Sequence, residues 1–201
     1  MYSIMSEFIK EVEVEHSRFI GIIRPISDKE NIKQILSEIK KRYPKAKHYC
    51  YATIIDNFQK SSDDGEPQGT AGRPMLDLLI KNDLNHVILI VVRYFGGILL
   101  GASRLLRTYV DAGDLAIKSA KLYKVCEGYS YKITTSYNNY DAIIRKCKND
   151  DILVEKTEFN ECIELIVFSE HDIVSEFKEL FYQDTKIELI TNKVIYKKVE
   201  E

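Results

Sequence analysis

Cysteine is scarce in this 201-residue chain: Cys50, Cys126, Cys147 and Cys162 lie far apart, and no two are spaced as CxxC. That spacing excludes a recognisable zinc cluster or disulfide framework, and reduced thiols in a cytosolic protein are the expectation. Long hydrophobic runs are also lacking. The longest, Val87 to Val92, is far short of the ~20 residues a membrane helix needs. The first residues, Met1-Tyr2-Ser3-Ile4-Met5-Ser6-Glu7, hold neither a basic region nor an apolar stretch, so no signal peptide is expected. No low-complexity linker interrupts the chain. A strong charge of one sign is missing too, since the net charge is −2 and no global field draws in nucleic acid.

The chain does hold enough apolar residues to fold, being 45% hydrophobic and 30% charged. Its length allows one large domain or two small ones. Charge is uneven along it: residues 1–128 hold 19 basic and 16 acidic groups, residues 129–201 hold 10 and 15. The first part is the one expected to meet an anionic partner.

Val12 and Val14 alternate with glutamates as in a half-buried strand, and a second strand is expected over about 18–23. Ser27-Asp28-Lys29-Glu30 has capping-box spacing, with Ser27 as cap. The helix it opens carries Ile32, Ile35, Leu36 and Ile39 and stops at Pro44. Residues 48–55 read as a strand, 56–73 as a long loop, and Pro74 sits in the first turn of a short helix. The aliphatic run 87–92 predicts a central strand covered on both faces. A glycine-rich exit then leads to the longest helix, with Leu105, Tyr109, Ala112, Ala116 and Ala120 on its buried side. From Tyr129 the alternation restarts in the order βαββαβ, with Asn138 or Asn139 as a helix cap. This order fits a small ferredoxin-like domain over 129–201 after a larger domain over 1–128.

Several groups carry possible chemistry. Asp63, Asp64 and Glu66 crowd three carboxylates into four residues of a loop rich in glycine, suited to a hard cation, to acid–base work, or to a solvated turn. The solvated turn is favoured, because calcium-loop spacing is absent. No metal or cofactor is assigned. Gly96, Gly97 and Gly101 precede a helix as in a phosphate-cradling turn, yet the run has neither G-x-G-x-x-G nor GK[ST] spacing. A tight strand-to-helix turn is the favoured explanation of them. Arg104 and Arg107 add cations near that helix start, and Arg107 can pair with Asp111 on a solvated face. His48 and Cys50 share a strand face, the arrangement of a Cys–His nucleophile, but no oxyanion donor is visible and a buried cysteine is usually an inert small hydrophobe. Lys40, Lys41, Arg42, Lys45 and Lys47 form the densest basic cluster, interleaved with Tyr43, Tyr49 and Tyr51 as in binders of single-stranded nucleic acid. Lysines suited to a helix dipole are the alternative explanation.

Taken together, His48-x-Cys50-x-Ala52, the segment DDGEP-x-GTAG-x-P from Asp63 to Pro74 (including Thr70), Arg93-Tyr94-Phe95-Gly96-Gly97-Ile98, Leu100-Gly101, Leu105, Arg107 and Tyr109 resemble the YigZ/IMPACT family. The strong part of the resemblance covers roughly 48–109. It implies an α+β protein whose amino-terminal domain is like domain IV of elongation factor G, with a left-handed βαβ unit, followed by a small ferredoxin-like domain. The ligand-binding residues expected are His48, Cys50, Asp63, Asp64, Glu66, Thr70, Arg93, Tyr94, Gly96, Gly97, Gly101, Arg104 and Arg107, and the resemblance implies RNA, the ribosome or a translation-associated protein as partner. The kinase-linked role of eukaryotic members uses an additional amino-terminal domain and is not carried over. Family members commonly have Gly-Gly where this chain has Ser103-Arg104, and often Lys where it has Leu99. The function expected is a non-catalytic, cytoplasmic binding protein linked to translation regulation. A hydrolase using the acidic loop with His48 and Cys50 is the alternative, as is a protein-interaction regulator that binds no nucleic acid.

Overall fold

The computed structural model describes residues 1–181 and 183–198. The described residues are mixed α+β, with two five-stranded sheets and five α-helices, and divide into two compact units, Met1–Lys124 and Val125–Lys197. Among the described residues no helix is long and apolar enough to cross a membrane.

The first unit contains β1 (Tyr2–Ile4), β2 (Phe8–Val14), β3 (Ser17–Pro25), a 3-10 turn at Lys29–Asn31, α1 (Ile32–Arg42), β4 (His48–Ile55), β5 (Phe58–Ser62), α2 (Gly72–Lys81), β6 (Val87–Tyr94) and α3 (Ala102–Ser119). Its sheet has the order β2-β3-β6-β4-β5, with every neighbouring pair antiparallel. Because β3 and β4 flank β6 and both oppose it, they run parallel to each other and are joined through α1 across β6. The aliphatic run of β6 serves two cores. Val87, Leu89 and Val91 meet the side chains of α2 and α3, while Ile88, Ile90 and Val92 meet Ile32, Ile35 and Ile39 of α1. Alternate side chains of a strand face opposite ways, so a run with no polar member needs helices on both sides. Close approach of α3 to β3 depends on Gly21: a Cβ there would lie 2.1 Å from the carbonyl oxygen of Ala112.

Asp28, not Ser27, is the cap before α1, its side chain accepting from the Glu30 amide at 2.9 Å. Residues 58–62, expected to be loop, form β5, which pairs with β4 from Ile55↔Phe58 to Tyr51↔Ser62. The short β1, unforeseen, pairs with Leu122–Lys124 at the start of β7 (Leu122–Thr135).

The second unit continues β7 through α4 (Tyr137–Asn149), β8 (Leu153–Phe159), β9 (Ile163–Ser169), α5 (Val174–Leu180) and β10 (Thr185–Lys198). β9 lies between β7 and β8, and β10 pairs with β7. Tyr131, Ile133, Ile163, Leu165 and Val167 share a core with Ile143, Cys147 and Phe177 of the two helices. Ser136, not the expected Asn138 or Asn139, stands at the cap position of α4, and both asparagines lie inside the helix.

Candidate functional site

Register alone assembles the site's first row. Phe19 of β3 and His48 of β4 flank Arg93 of β6 on either side across three strands, on the face covered by α2 and α3. Arg93 is the last inward residue of β6, and its guanidinium lies over the Phe19 ring at 5.2 Å and the Phe95 ring at 5.4 Å. Its carboxylate partner arrives from the loop joining β5 to α2. Arg93 Nη1 donates to Glu66 Oε1 at 2.6 Å, both side chains being more than nine-tenths buried. Tyr109, fully buried on α3 and edge-on to Phe19, donates its hydroxyl to the same oxygen at 2.8 Å. A buried carboxylate is stable only when its lost hydration is replaced in this way.

The loop that delivers Glu66 is knotted on Asp63. Asp63 Oδ2 accepts from the Gly69 amide at 2.9 Å, and Oδ1 accepts from the Ala71 and Gly72 amides at 3.0 and 2.8 Å. Burial by itself would raise this carboxyl's pKa, but the three amides outweigh it and hold the group below its ordinary 3.8. Asp64 extends the sheet edge, its Oδ2 accepting from the Tyr49 amide at 2.7 Å. The Thr70 hydroxyl donates to the Pro67 carbonyl at 2.6 Å, closing the turn. The acidic triplet is therefore three separate fixtures.

His48 and Cys50 are tied to the same loop. His48 Nδ1 lies 2.8 Å from the Asp64 carbonyl, which can only accept, so that nitrogen carries a proton; Nε2 lies 3.8 Å from Glu66 Oε1. Cys50 donates its thiol to the Asp63 carbonyl at 2.9 Å, and burial pushes its pKa up to about 12. Burial likewise raises Tyr109, with Cys50 and Glu66 adding to the effect. A thiol in this state is not a nucleophile at neutral pH.

A cleft of about 400 Å³ opens over this centre, with His48, Glu66 and Arg93 at its polar part, Pro67, Phe95, Leu100 and Leu105 as apolar walls, and Lys47, Gly101 and Ala102 beside them. Lys47 Nζ lies over the Phe95 ring at 5.2 Å.

Of the other expected residues, Gly101 and Lys47 line the cleft and the rest fall elsewhere. The Gly96 amide is not free, since it donates to Ser17 Oγ at 3.1 Å, and a Cβ on Gly96 would lie 2.1 Å from the His16 backbone. Gly97 and Gly101 have positive φ, 92° and 75°. Tyr94 donates to the Pro44 carbonyl at 3.1 Å and stacks against Arg18. Arg104 leaves the cleft to pair with Glu15 at 2.7 Å. Arg107 is exposed on α3 and makes no ion pair with Asp111 among the described residues. Lys40, Lys41, Arg42, Lys45 and Lys47 are all exposed, with Arg42 bonded to Glu7 at 2.5 Å and Lys40 over the Tyr49 ring at 5.2 Å. The interleaved aromatics are not a stacking platform: Tyr49 and Tyr51 are 9% and 7% exposed and belong to the α1-side core. Sequence reasoning put Tyr109 on the buried side of its helix but missed its bond to Glu66. It also left Phe95 and Lys47 outside the cleft they line.

The Impact N-terminal domain family matches residues 15–117, just over half the chain and all of this site. The chain is 33% identical over 181 residues to an IMPACT family member of Haemophilus influenzae, covering 87% of this chain and 88% of that one. It belongs to the IMPACT family. A second IMPACT family member, YvyE of Bacillus subtilis, is 33% identical over 177 residues, 84% of this chain and 79% of its own. A crystal structure of a hypothetical protein, 25% identical, superposes with TM-score 0.62 over 94% of this chain and 97% of its own, so the IMPACT fold described here has an experimental counterpart.

Proposed function

We propose that this IMPACT family protein is a non-catalytic binding protein linked to translation regulation, which contacts RNA or the ribosome through its first unit in the cytoplasm. The observation that carries the reading is the state of the candidate catalytic groups. Glu66 Oε1 is shared by Arg93 and Tyr109, Asp63 is saturated by three amides, and the Cys50 thiol is held protonated. Each holds the loop in place and is spent by doing so. The exposed cations on and after α1 supply the surface an anionic polymer would meet. On this reading the domains are 1–128, like domain IV of elongation factor G with a left-handed βαβ unit, and 129–201, ferredoxin-like. The order β7-α4-β8-β9-α5-β10, with β9 between β7 and β8, supports the second assignment. Filter binding of single-stranded RNA tests the proposal: Lys41→Glu with Lys45→Glu should weaken binding at least tenfold, and unchanged affinity would remove the surface from the account.

A second reading, a protein partner, is favoured by one feature. Leu99 is 87% exposed at the cleft, beside Phe95 and Ile98 at 39% and 44%, and exposed apolar patches mark protein contacts. Protein cross-linking that maps to 95–99 and survives nuclease treatment would favour it.

A further inference from the structure

We infer that the cleft seats the phosphate of a single nucleotide on the amino terminus of α3. The inference rests on the reading that this unit meets nucleic acid, and it names the site and the chemical unit recognised. α3 is 18 residues long and begins at Ala102; its cap position is Gly101, which offers no side-chain cap, and its first turn contains no acidic residue. The first helical bond runs from the Leu105 amide to the Gly101 carbonyl at 2.9 Å. The amides of Ala102, Ser103 and Arg104 therefore have no acceptor within the helix, at the positive end of its dipole. Such a terminus attracts anions in general.

An independent feature marks this one. Arg93 lines the same cleft, its side chain is 6% exposed, and its Nε is buried without a hydrogen-bond partner. Buried guanidinium nitrogens are normally satisfied, so an unpaired one beside a cleft signals a group that completes the network. Lys47 adds a second cation at the lining. Glu66, the only carboxylate among the described lining residues, is held by Arg93 and Tyr109. The walls argue against a bare ion. Pro67, Phe95, Leu100 and Leu105 are apolar, and about 400 Å³ lies in the range of small-molecule pockets, room for a planar base and its sugar. A nucleotide unites the anion and the flat body, either as a free nucleoside monophosphate or as an unpaired residue of RNA.

The test uses the full-length, isotope-labelled protein and three probes: inorganic phosphate, the nucleoside 5′-monophosphates and a single-stranded RNA hexamer. Amide resonances of residues 101–104 should shift, and a nucleotide should bind at least about tenfold more tightly than inorganic phosphate. Ala102→Asp is the decisive variant. An acidic residue suits a helix start, so the fold is kept while the anion is repelled, and affinity should fall at least tenfold. Lys47→Ala should lower it severalfold. Binding of monophosphates without the hexamer identifies a free nucleotide and sinks the RNA reading while the site stands. Binding of the hexamer that leaves 101–104 unmoved and ignores Ala102→Asp overturns the site and leaves the RNA reading intact. Equal affinity for inorganic phosphate overturns the nucleotide assignment, and silence with every probe overturns both.

Discussion

At Cys50 the thiol donates to the Asp63 carbonyl, with His48 two residues away on the same face of β4. Shared facing is what a Cys–His pair needs, but the hydrogen bonds point both side chains at loop carbonyls. With its pKa near 12, on the order of one Cys50 in ten thousand is thiolate at pH 8. Native protein treated with iodoacetamide at that pH should therefore be alkylated at the half-exposed Cys162 and not at Cys50, until denaturant is added. Cys50→Ser, whose hydroxyl can donate to the same carbonyl, should leave partner binding intact. Rapid native alkylation of Cys50 would reopen the catalytic alternative. The Glu66–Arg93 pair behaves differently, because both charges are buried. Arg93→Ala leaves a carboxylate with only Tyr109, and Glu66→Gln leaves a guanidinium without a counter-charge. Each should cost about 3–5 kcal/mol in urea denaturation. The double variant Glu66→Gln, Arg93→Leu should cost less than the two single losses added together, because no uncompensated charge remains.

At the scale of the element, the loop from Asp63 to Ala71 is held by a carboxylate acting as a substitute for secondary structure. Asp63→Asn keeps one carbonyl acceptor but turns the other oxygen into a donor facing an amide, so it should destabilise by about 2–3 kcal/mol. The pH dependence has a definite sign. The folded-state pKa lies below the ordinary 3.8, so the native state binds fewer protons near that value than the unfolded chain. Asp63 therefore stabilises fully above the unfolded pKa, and its contribution is lost as pH falls through the folded one. Acid titration of Asp63→Asn should show a shallower loss of stability below about pH 4 than the parent; identical slopes would mean that Asp63 does not anchor the loop. Elements with a strong period were legible in the sequence: β6 from its unbroken aliphatic run, α1 and α3 from their apolar stripes. β5 was not, because Phe58-Gln-Lys-Ser-Ser carries one apolar residue and forms an edge whose pairing is dictated by β4. The acidic loop was visible as chemistry, but its wiring was not. The Asp63 bonds span 6 to 9 residues of irregular chain, and the Glu66–Tyr109 bond spans 43, so both depend on the assembled sheet.

For the whole molecule, the charge division becomes a prediction about which unit meets RNA. Residues 1–128 contain 19 basic and 16 acidic groups and residues 129–201 contain 10 and 15, so the two parts carry opposite net charge. A polyanion gains from releasing counterions only where cations replace them. In the first unit Lys40, Lys41, Lys45 and Lys47 are exposed, whereas Arg42 is already bonded to Glu7. In the second unit Lys132, Lys146, Lys156, Lys186, Lys193 and Lys197 are each ion-paired to a carboxylate. Bringing phosphates to these six lysines means breaking pairs near a net negative charge, which leaves Arg145, Lys148 and Lys178 as the exposed cations outside those pairs among the described residues. Fragments 1–128 and 129–201, each first checked for dispersed amide resonances, should therefore differ. The first should bind single-stranded RNA with a slope of log affinity against log salt of about −2 to −3, as expected for three or four phosphate contacts at ~0.7 counterions each. The second should bind at least tenfold more weakly under low salt. Tighter binding by 129–201, or a slope near zero for 1–128, would show that contacts other than these lysines carry recognition, and would move the RNA surface away from α1 and the cleft.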